Sequence, residues 1–289
     1  MVEYIDNRFA TGRLPKRPED SNKSTFGKVL NIAGSKNYIG SAFLSSISAL
    51  KIGAGYVTLA CPSQIVPIIA AKAPELTFCH LNTNSNGSIS ENNVIKKLKD
   101  YDVISIGCGI TDCEDTKQFV FSIFNNLSLI QKVVIDADGI NILSNHKGEV
   151  SLKNTIITPH PGELSRLLNV SVEEINQNRE KYARITSQTY ECITVLKGHE
   201  TIITDGQKIF INKSGSSALA KAGTGDVLTG IIAGLLAQRL APLDAAIIGV
   251  YLHGLAGDIA VHDLTKYSVL ASDIINYLPF AISKIITED

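Results

Sequence analysis

The chain of 289 residues is 44% hydrophobic and 19% charged, with a formal net charge of −1. That balance excludes a disordered chain and is typical of a folded globular protein. Near-neutral charge, 6% aromatics and no tryptophan give no reason to expect a nucleic-acid partner, whether held by charge or by stacked bases.

The N-terminal stretch 1–20 is polar and lacks the apolar run of a signal peptide. Short runs rich in Val and Ile then recur at 28–33 (KVLNIA), 56–60 (YVTLA), 103–106 (VISI), 133–135 and 192–196 (CITVL). They are apolar on both faces, as parallel strands covered by helices are. Between them, 41–52, 91–99, 116–125 and 173–189 have the length and spacing of helices. The alternation predicts an α/β fold with a doubly wound, mostly parallel central sheet and helices on both faces. The polar run 82–93 (NTNSNGSISENN) reads as a surface loop, and 201–204 with 208–211 as a hairpin around Asp205-Gly206-Gln207.

From Gly225 onward the chain reads as almost wholly helical. Its window 245–260 is broken by His253 and Asp258, so it reads as a buried core helix and not as a membrane span. Leu243, Ile247, Val250, Tyr251 and Leu255 mark its helical face, and Gly249, Gly254 and Gly257 predict close packing against another backbone. No Pro/Ser-rich linker divides the chain, and one domain over 1–289 is expected. The five cysteines, Cys61, Cys79, Cys108, Cys113 and Cys192, form no CxxC pair and read as reduced, mostly buried thiols of a cytoplasmic protein.

Ligands of α/β sheets gather at the carboxyl ends of strands. KVLNIA is followed by Gly34-Ser35-Lys36-Asn37-Tyr38-Ile39-Gly40-Ser41, which lacks the GxGxxG spacing of a dinucleotide fold. VISI is followed by Gly107-Cys108-Gly109. Strand 133–135 leads into Asp136-Ala137-Asp138-Gly139-Ile140-Asn141, whose two carboxylates suit a water-mediated Mg²⁺ or a sugar hydroxyl; Asp138 equally suits a helix N-cap. After Ile156-Ile157 comes Thr158-Pro159-His160-Pro161-Gly162-Glu163, where the prolines hold His160 in one pose and Pro161 is placed to open a helix. The histidines show no HxxxH or similar spacing, so no metal-ligand residues are expected. CITVL ends in Lys197-Gly198-His199-Glu200-Thr201, and this lysine reads as a point charge for phosphate or as a solvated surface residue.

The most informative segment is Lys221-Ala222-Gly223-Thr224-Gly225-Asp226, which runs into the apolar stretch 227–237. A helix start leaves backbone N–H groups unpaired and partly positive, and glycines let a phosphate approach them. Asp226 places a base in that cradle, an arrangement suited to phosphoryl transfer onto a hydroxyl. The same residues also suit a plain glycine turn whose acid complements the helix dipole. There is no P-loop, so ATP chemistry would need a different cradle.

In order along the chain, NIAGSKNYIGSAFLSSISALKIGAGYVTLACP, VIDADGIN, ITPHPGEL, VLKGHETIITDG and AKAGTGDVLTGIIAGLLAQ resemble the ADP/ATP-dependent NAD(P)H-hydrate dehydratases of the ribokinase-like superfamily. The likeness covers about 28–238. It implies repair of the S epimer of hydrated NADH or NADPH: a ring hydroxyl is phosphorylated from ADP or ATP with Mg²⁺, then lost as phosphate. It further implies that Asp226 is the base and that Gly223, Thr224 and Gly225 form the anion hole. Lys197, Gly198, His199, Glu200, Thr201 and Gly225 would meet the adenine nucleotide. Ser41, Ala42, Gly109 and His160, with Asp226, would hold the hydrated dinucleotide. A homo-oligomer, a tetramer among the arrangements, is expected, without an epimerase domain.

Three departures from the family pattern fall on the site: Gly40-Ser41 for the frequent Gly-Ala, Gly107-Cys108-Gly109-Ile110-Thr111 for Gly-Pro-Gly-Leu-Gly, and Ser214-Gly215-Ser216 for Thr-Gly-Asn. The alternative is a ribokinase-like kinase of vitamin-precursor alcohols that leaves a stable phosphate ester; TPHPGE and DADGIN count against it. A nucleotide-binding regulator without turnover would gain little from a carboxylate at Asp226.

Overall fold

Ten strands hydrogen-bond into one sheet: β1 (Val2–Ile5), β2 (Lys28–Ile32), β3 (Tyr56–Pro62), β4 (Thr77–Leu81), β5 (Val103–Ile106), β6 (Lys132–Ile135), β7 (Thr155–Ile157), β8 (Ile193–Leu196), β9 (Thr201–Thr204) and β10 (Ile209–Asn212). Their order is β1-β10-β9-β8-β7-β6-β5-β2-β3-β4. Among the strands of the described residues, only β9 runs antiparallel to its neighbours. The computed structural model describes residues 2–84, 87, 89–90, 93–128, 130–144 and 152–286.

The chain leaves β2 towards β3 and β4, then returns to β5 on the other side of β2 and proceeds outward. Ile32 and Ile106 are register partners, so the loops after β2 and β5 start side by side and diverge. That is the topological switch point where open α/β sheets bind ligands. The helices are α1 (Asn7–Ala10), α2 (Ile39–Lys51), α3 (Val66–Ala70), α4 (Glu114–Asn125), α5 (Asp138–Ser144), α6 (Pro161–Leu168), α7 (Val172–Gln177), α8 (Arg179–Tyr190), α9 (Thr224–Ala237), α10 (Pro242–Ser268) and α11 (Ala271–Ser283). One buried cluster packs α2, α9, α10 and α11 on one face of the sheet. A second packs α4 to α8 on the other, through residues such as Phe119, Leu164 and Tyr182.

All five strands expected from Val/Ile runs are present, as is the strand ending at Ile157. Two were not expected: β1, in the polar N-terminal stretch, and β4, whose TFCHL has only one fully buried residue. Both are edge strands and need little apolar sequence. The helix expected over 91–99 is a 3₁₀ segment over Asn93–Asp100. The one expected over 173–189 breaks at Asn178 into α7 and α8. Of the predicted loop 82–93, residues 85, 86, 88, 91 and 92 lie outside the described residues; Thr83 and Ile89 form a bridge, and Ile89 is fully buried.

α10 is long and apolar enough to cross a membrane, yet 72% of its most apolar window is buried in the protein. Of the three glycines expected to pack on another backbone, Gly249 and Gly257 face chiefly the side chains of Ile232 and Leu219, whereas Gly254 packs closely on one, a Cβ there lying 2.6 Å from the Ser214 carbonyl oxygen. An equivalent contact sets the active-site geometry. On α9, a Cβ at Gly230 would lie 2.1 Å from the Ser45 carbonyl oxygen and one at Gly234 would lie 2.6 Å from that of Ala49. These glycines, four residues apart, let α9 lie directly on α2, which brings Asp226 beside Ser41. Gly230→Ala should therefore destabilise the fold by about 1–3 kcal/mol through overpacking. It should also lower kcat, because α9 must lift away from α2; thermal melts and turnover measured on one preparation check both effects.

Candidate active site

α9 starts from Gly223, whose φ of +90° only glycine adopts readily; a Cβ there would also lie 2.6 Å from Leu44. The Thr224 hydroxyl donates to the carbonyls of Leu219 (2.8 Å) and Lys221 (2.9 Å). That side chain therefore pins the turn, and the Thr224 N–H also points back at the Lys221 carbonyl (3.4 Å), which leaves the donors for an anion to the next two residues. As first-turn residues, Gly225 and Asp226 have N–H groups without intrahelical acceptors. His253 Nε2–H donates to the Thr224 carbonyl at 2.9 Å. Burial pushes His253 down to about 4, which keeps the ring neutral at neutral pH.

Behind the turn lies a buried acid–base network. Asp136, at the end of β6, accepts from Lys197 Nζ at 2.6 Å and from the Thr229 hydroxyl at 2.8 Å. Lys197 also lies 3.8 Å from Glu163. Burial opposes the lysine's charge, but the Asp136 and Glu163 carboxylates outweigh it and hold its pKa above the ordinary lysine value. The Glu163 carboxyl is pushed up by burial while Lys197 opposes the rise.

Asp226 stands on the other side of Asp136. Burial first, then the Asp136 charge, push it up to about 6; the polar Ser41 and Cys108 side chains nearby and the charge of Lys197 work against that rise. Cys108 is fully buried, and burial with the two carboxylates nearby holds its thiol protonated. A base that titrates near neutrality is matched to taking a proton from an alcohol.

Among the described residues, Cys108, Asp136 and Asp226 are the one group whose side chains could converge on a metal, with ligand atoms within 4.8 Å of one another. They do not suit Mg²⁺ as a resident ion. Asp136 is already engaged by Lys197 and Thr229, and a protonated thiol is a poor partner for a hard cation. Asp138 does not supplement them: its carboxylate accepts from Thr111 N at 2.8 Å and opens α5. The two carboxylates of DADGIN thus serve different tasks. Mg²⁺ would have to be held chiefly by nucleotide phosphates and water.

A cavity of about 580 Å³ opens beside the network. All six residues predicted to meet a nucleotide line it: Lys197, Gly198, His199, Glu200, Thr201 and Gly225. Ser214, Gly215 and Ser216 line it as well, so the third departure from the family pattern falls on the same cavity. Lys197 is neither a free point charge nor a surface residue, since its ammonium is bound to Asp136.

On the dinucleotide side, Gly109 packs on Ser41: a Cβ at Gly109, where φ is +66°, would lie 2.8 Å from the Ser41 Cβ. Ala42 is fully buried inside α2, backbone and side chain alike, and offers a ligand no accessible atom, whereas Ser41 beside it is part-exposed. His160 caps α6, its Nδ1 accepting from Gly162 N (3.0 Å) and Glu163 N (3.3 Å) while Glu163 accepts from His160 N (2.8 Å). With Nδ1 so occupied, the ring presents Nε2, 3.3 Å from the other Glu163 oxygen, and is half exposed. The proline bracket does hold one pose, with the helix cap as its anchor. Sequence reasoning missed Glu163, Thr229 and His253. The first two were within reach: Glu163 stands three residues after the N-cap, the capping-box spacing, and Thr229 follows Asp226 at i+3 on one helix face.

Glycine-turn cradle, half-buried base and strand-end cavity on this sheet define a ribokinase-like α/β protein. Within that class the chain belongs to the NAD(P)H-hydrate dehydratase family, which matches residues 29–280. It is 32% identical to the ADP-dependent (S)-NAD(P)H-hydrate dehydratase of Bacillus subtilis over 96% of this chain and 97% of that one. The solved structure of the Bacillus subtilis ADP/ATP-dependent NAD(P)H-hydrate dehydratase co-crystallised with ATP and Mg²⁺ superposes with a TM-score of 0.85 at 29% identity, covering 98% of this chain and 99% of that one. A bifunctional NAD(P)H-hydrate repair enzyme of Moorella thermoacetica is 35% identical over 97% of this chain. The chain spans about half the length of the bifunctional relatives it matches, 55% in that case.

Proposed function

We propose that this chain dehydrates the S epimer of hydrated NADH or NADPH at the expense of ADP or ATP. One observation carries the reading. Gly225 lines the nucleotide cavity, and the next residue, Asp226, turns a half-buried carboxylate towards Ser41 at the start of α2 and Cys108 in the loop after β5. A hydroxyl placed there loses its proton to Asp226 as its oxygen takes the terminal phosphoryl group, leaving AMP from ADP or ADP from ATP. The first-turn N–H groups hold the transferring phosphoryl oxygens. Loss of the new phosphate with a ring proton restores the dihydronicotinamide. Mg²⁺ arriving with the nucleotide would neutralise phosphate charge. A homo-oligomer in a reducing cytoplasm belongs to the same proposal, and light scattering of the purified protein tests the assembly.

Incubation with hydrated NADH and ADP should regenerate reduced-nicotinamide absorbance, with AMP and phosphate formed in equal amounts. A stable phosphate ester in place of free phosphate would instead identify a small-molecule kinase. Independently, adenine nucleotide at a hundred times its Kd should stabilise the fold by about 2.7 kcal/mol. An unshifted melt at saturating nucleotide would remove the cavity's assignment.

A further inference from the structure

We propose that Arg179 is a positioning residue for nucleotide binding: its guanidinium turns the loop after β8 so that the Gly198 and Glu200 N–H groups face the cavity. The inference rests on the nucleotide reading of that cavity.

The break at Asn178 starts α8 at Arg179, and the guanidinium reaches the 196–199 segment. Nη1 donates to the His199 carbonyl, and Nη2 donates to those of Leu196 (3.1 Å) and Lys197 (3.3 Å). One side chain therefore holds three carbonyls of the strand end and the loop that lines the cavity. Arg179 itself is absent from the cavity wall and lines a separate groove behind the loop. The loop makes this possible with two residues at positive φ, Gly198 (+144°) and Glu200 (+55°). Gly198 is required twice over, because a Cβ there would also lie 2.9 Å from Nη2.

In a trans peptide the C=O and the following N–H point in opposite directions. Fixing the carbonyls of Lys197 and His199 on the outer side therefore sends the N–H groups of Gly198 and Glu200 inward. The third such group, Lys197 N–H, is spent on the Pro159 carbonyl at 2.8 Å. Among the described residues neither inward N–H has a hydrogen-bond acceptor. They form a rigid pair of donors matched to acceptor atoms of a bound nucleotide. The rigid fork presents donors at separated positions matched to these three carbonyls, whereas an ammonium offers its donors from a single nitrogen on a flexible stem, so Arg179→Lys should fall between wild type and Arg179→Ala.

The test is the Kd for ADP by calorimetry, with KM for ADP, KM for hydrated NADH and kcat, in wild type, Arg179→Ala and Arg179→Lys. Arg179→Ala should raise Kd and KM for ADP by about tenfold or more, with kcat at saturating ADP and KM for hydrated NADH within about threefold of wild type. Should Arg179→Ala fail to fold, Arg179→Lys carries the test with a threefold or larger rise in Kd for ADP. Unchanged ADP affinity in both variants, or equal loss for both substrates, overturns the proposal. A wild type that binds no ADP overturns the cavity assignment on which it rests.

Discussion

Asp226→Asn should cut kcat by about 10²–10⁴ while making the folded protein more stable at pH 7. The opposite signs have one cause. Burial and the Asp136 charge raise the Asp226 carboxyl from 3.8 to about 6, so the native state binds a proton that the unfolded chain has released. Well below pH 4 the group is protonated in both states and costs nothing. As pH rises through 6 the native state must carry the charge against its burial, and stability falls across that window. At pH 7 the penalty is roughly 1–3 kcal/mol, the upper figure being two pKa units at 1.36 kcal/mol each and the lower allowing for solvent near the cavity. Asparagine keeps the shape and a polar group beside Ser41 and Cys108 but carries no charge, so it removes both the base and the penalty. In wild type, kcat/KM should lose activity below about pH 6, as protonation silences the base. A variant within about threefold of wild-type turnover would show that Asp226 is not the base.

The sheet was legible because buried parallel strands advertise themselves: KVLNIA, VISI and CITVL are apolar on both faces, and each is followed by a glycine within two residues. The edge strands β1 and β4 need no such composition and left no signal. The break at Asn178 was equally silent. Its spacing continues the α8 pattern, and what ends α7 is an Asn178 backbone conformation (φ −137°, ψ 48°) that three-dimensional packing selects.

The candidate site was legible as separate strand ends but not as a network. GTGD, TPHPGE, DADGIN and VLKG each stood out, and the sheet order brings them together. The assignment of partners needed coordinates. Asp136 and Asp138 looked like a pair and are divided between Lys197 and the Thr111 N–H. Ser41 and Cys108 looked like two unrelated departures from the family pattern, and both lie beside the Asp226 carboxylate, with the Cys108 thiol directed at Asp136 (3.9 Å). The Gly230–Gly234 contact with α2 explains how residues so far apart in sequence meet at one carboxylate. No local pattern encodes that approach.

Lys197→Ala should be the most destabilising single change in the network. Its ammonium lies 2.6 Å from Asp136 and 3.8 Å from Glu163, whose side chains are only 2% and 6% exposed. Truncation opens the gap to the cavity that Lys197 lines, yet water restores no positive charge, and a buried carboxylate stripped of its partner typically costs about 3–5 kcal/mol. The pH dependence separates this account from simple loss of packing. Without the cation that opposes its rise, Glu163 takes up a proton more readily, so the deficit against wild type should shrink as pH falls from 7 towards 5. Lys197 also works against the raised pKa of Asp226, so any residual activity should show its acid limb at higher pH than wild type. Denaturant melts at both pH values measure the first effect. A pH-independent loss below about 1 kcal/mol would return Lys197 to the role of a solvated side chain. The triple variant Asp136→Leu/Glu163→Gln/Lys197→Met removes the cation and both carboxylate charges at once and should recover most of the stability while remaining inactive, because a buried ion pair adds little net stability over apolar residues of similar volume. What the pair contributes on this reading is the field around Asp226.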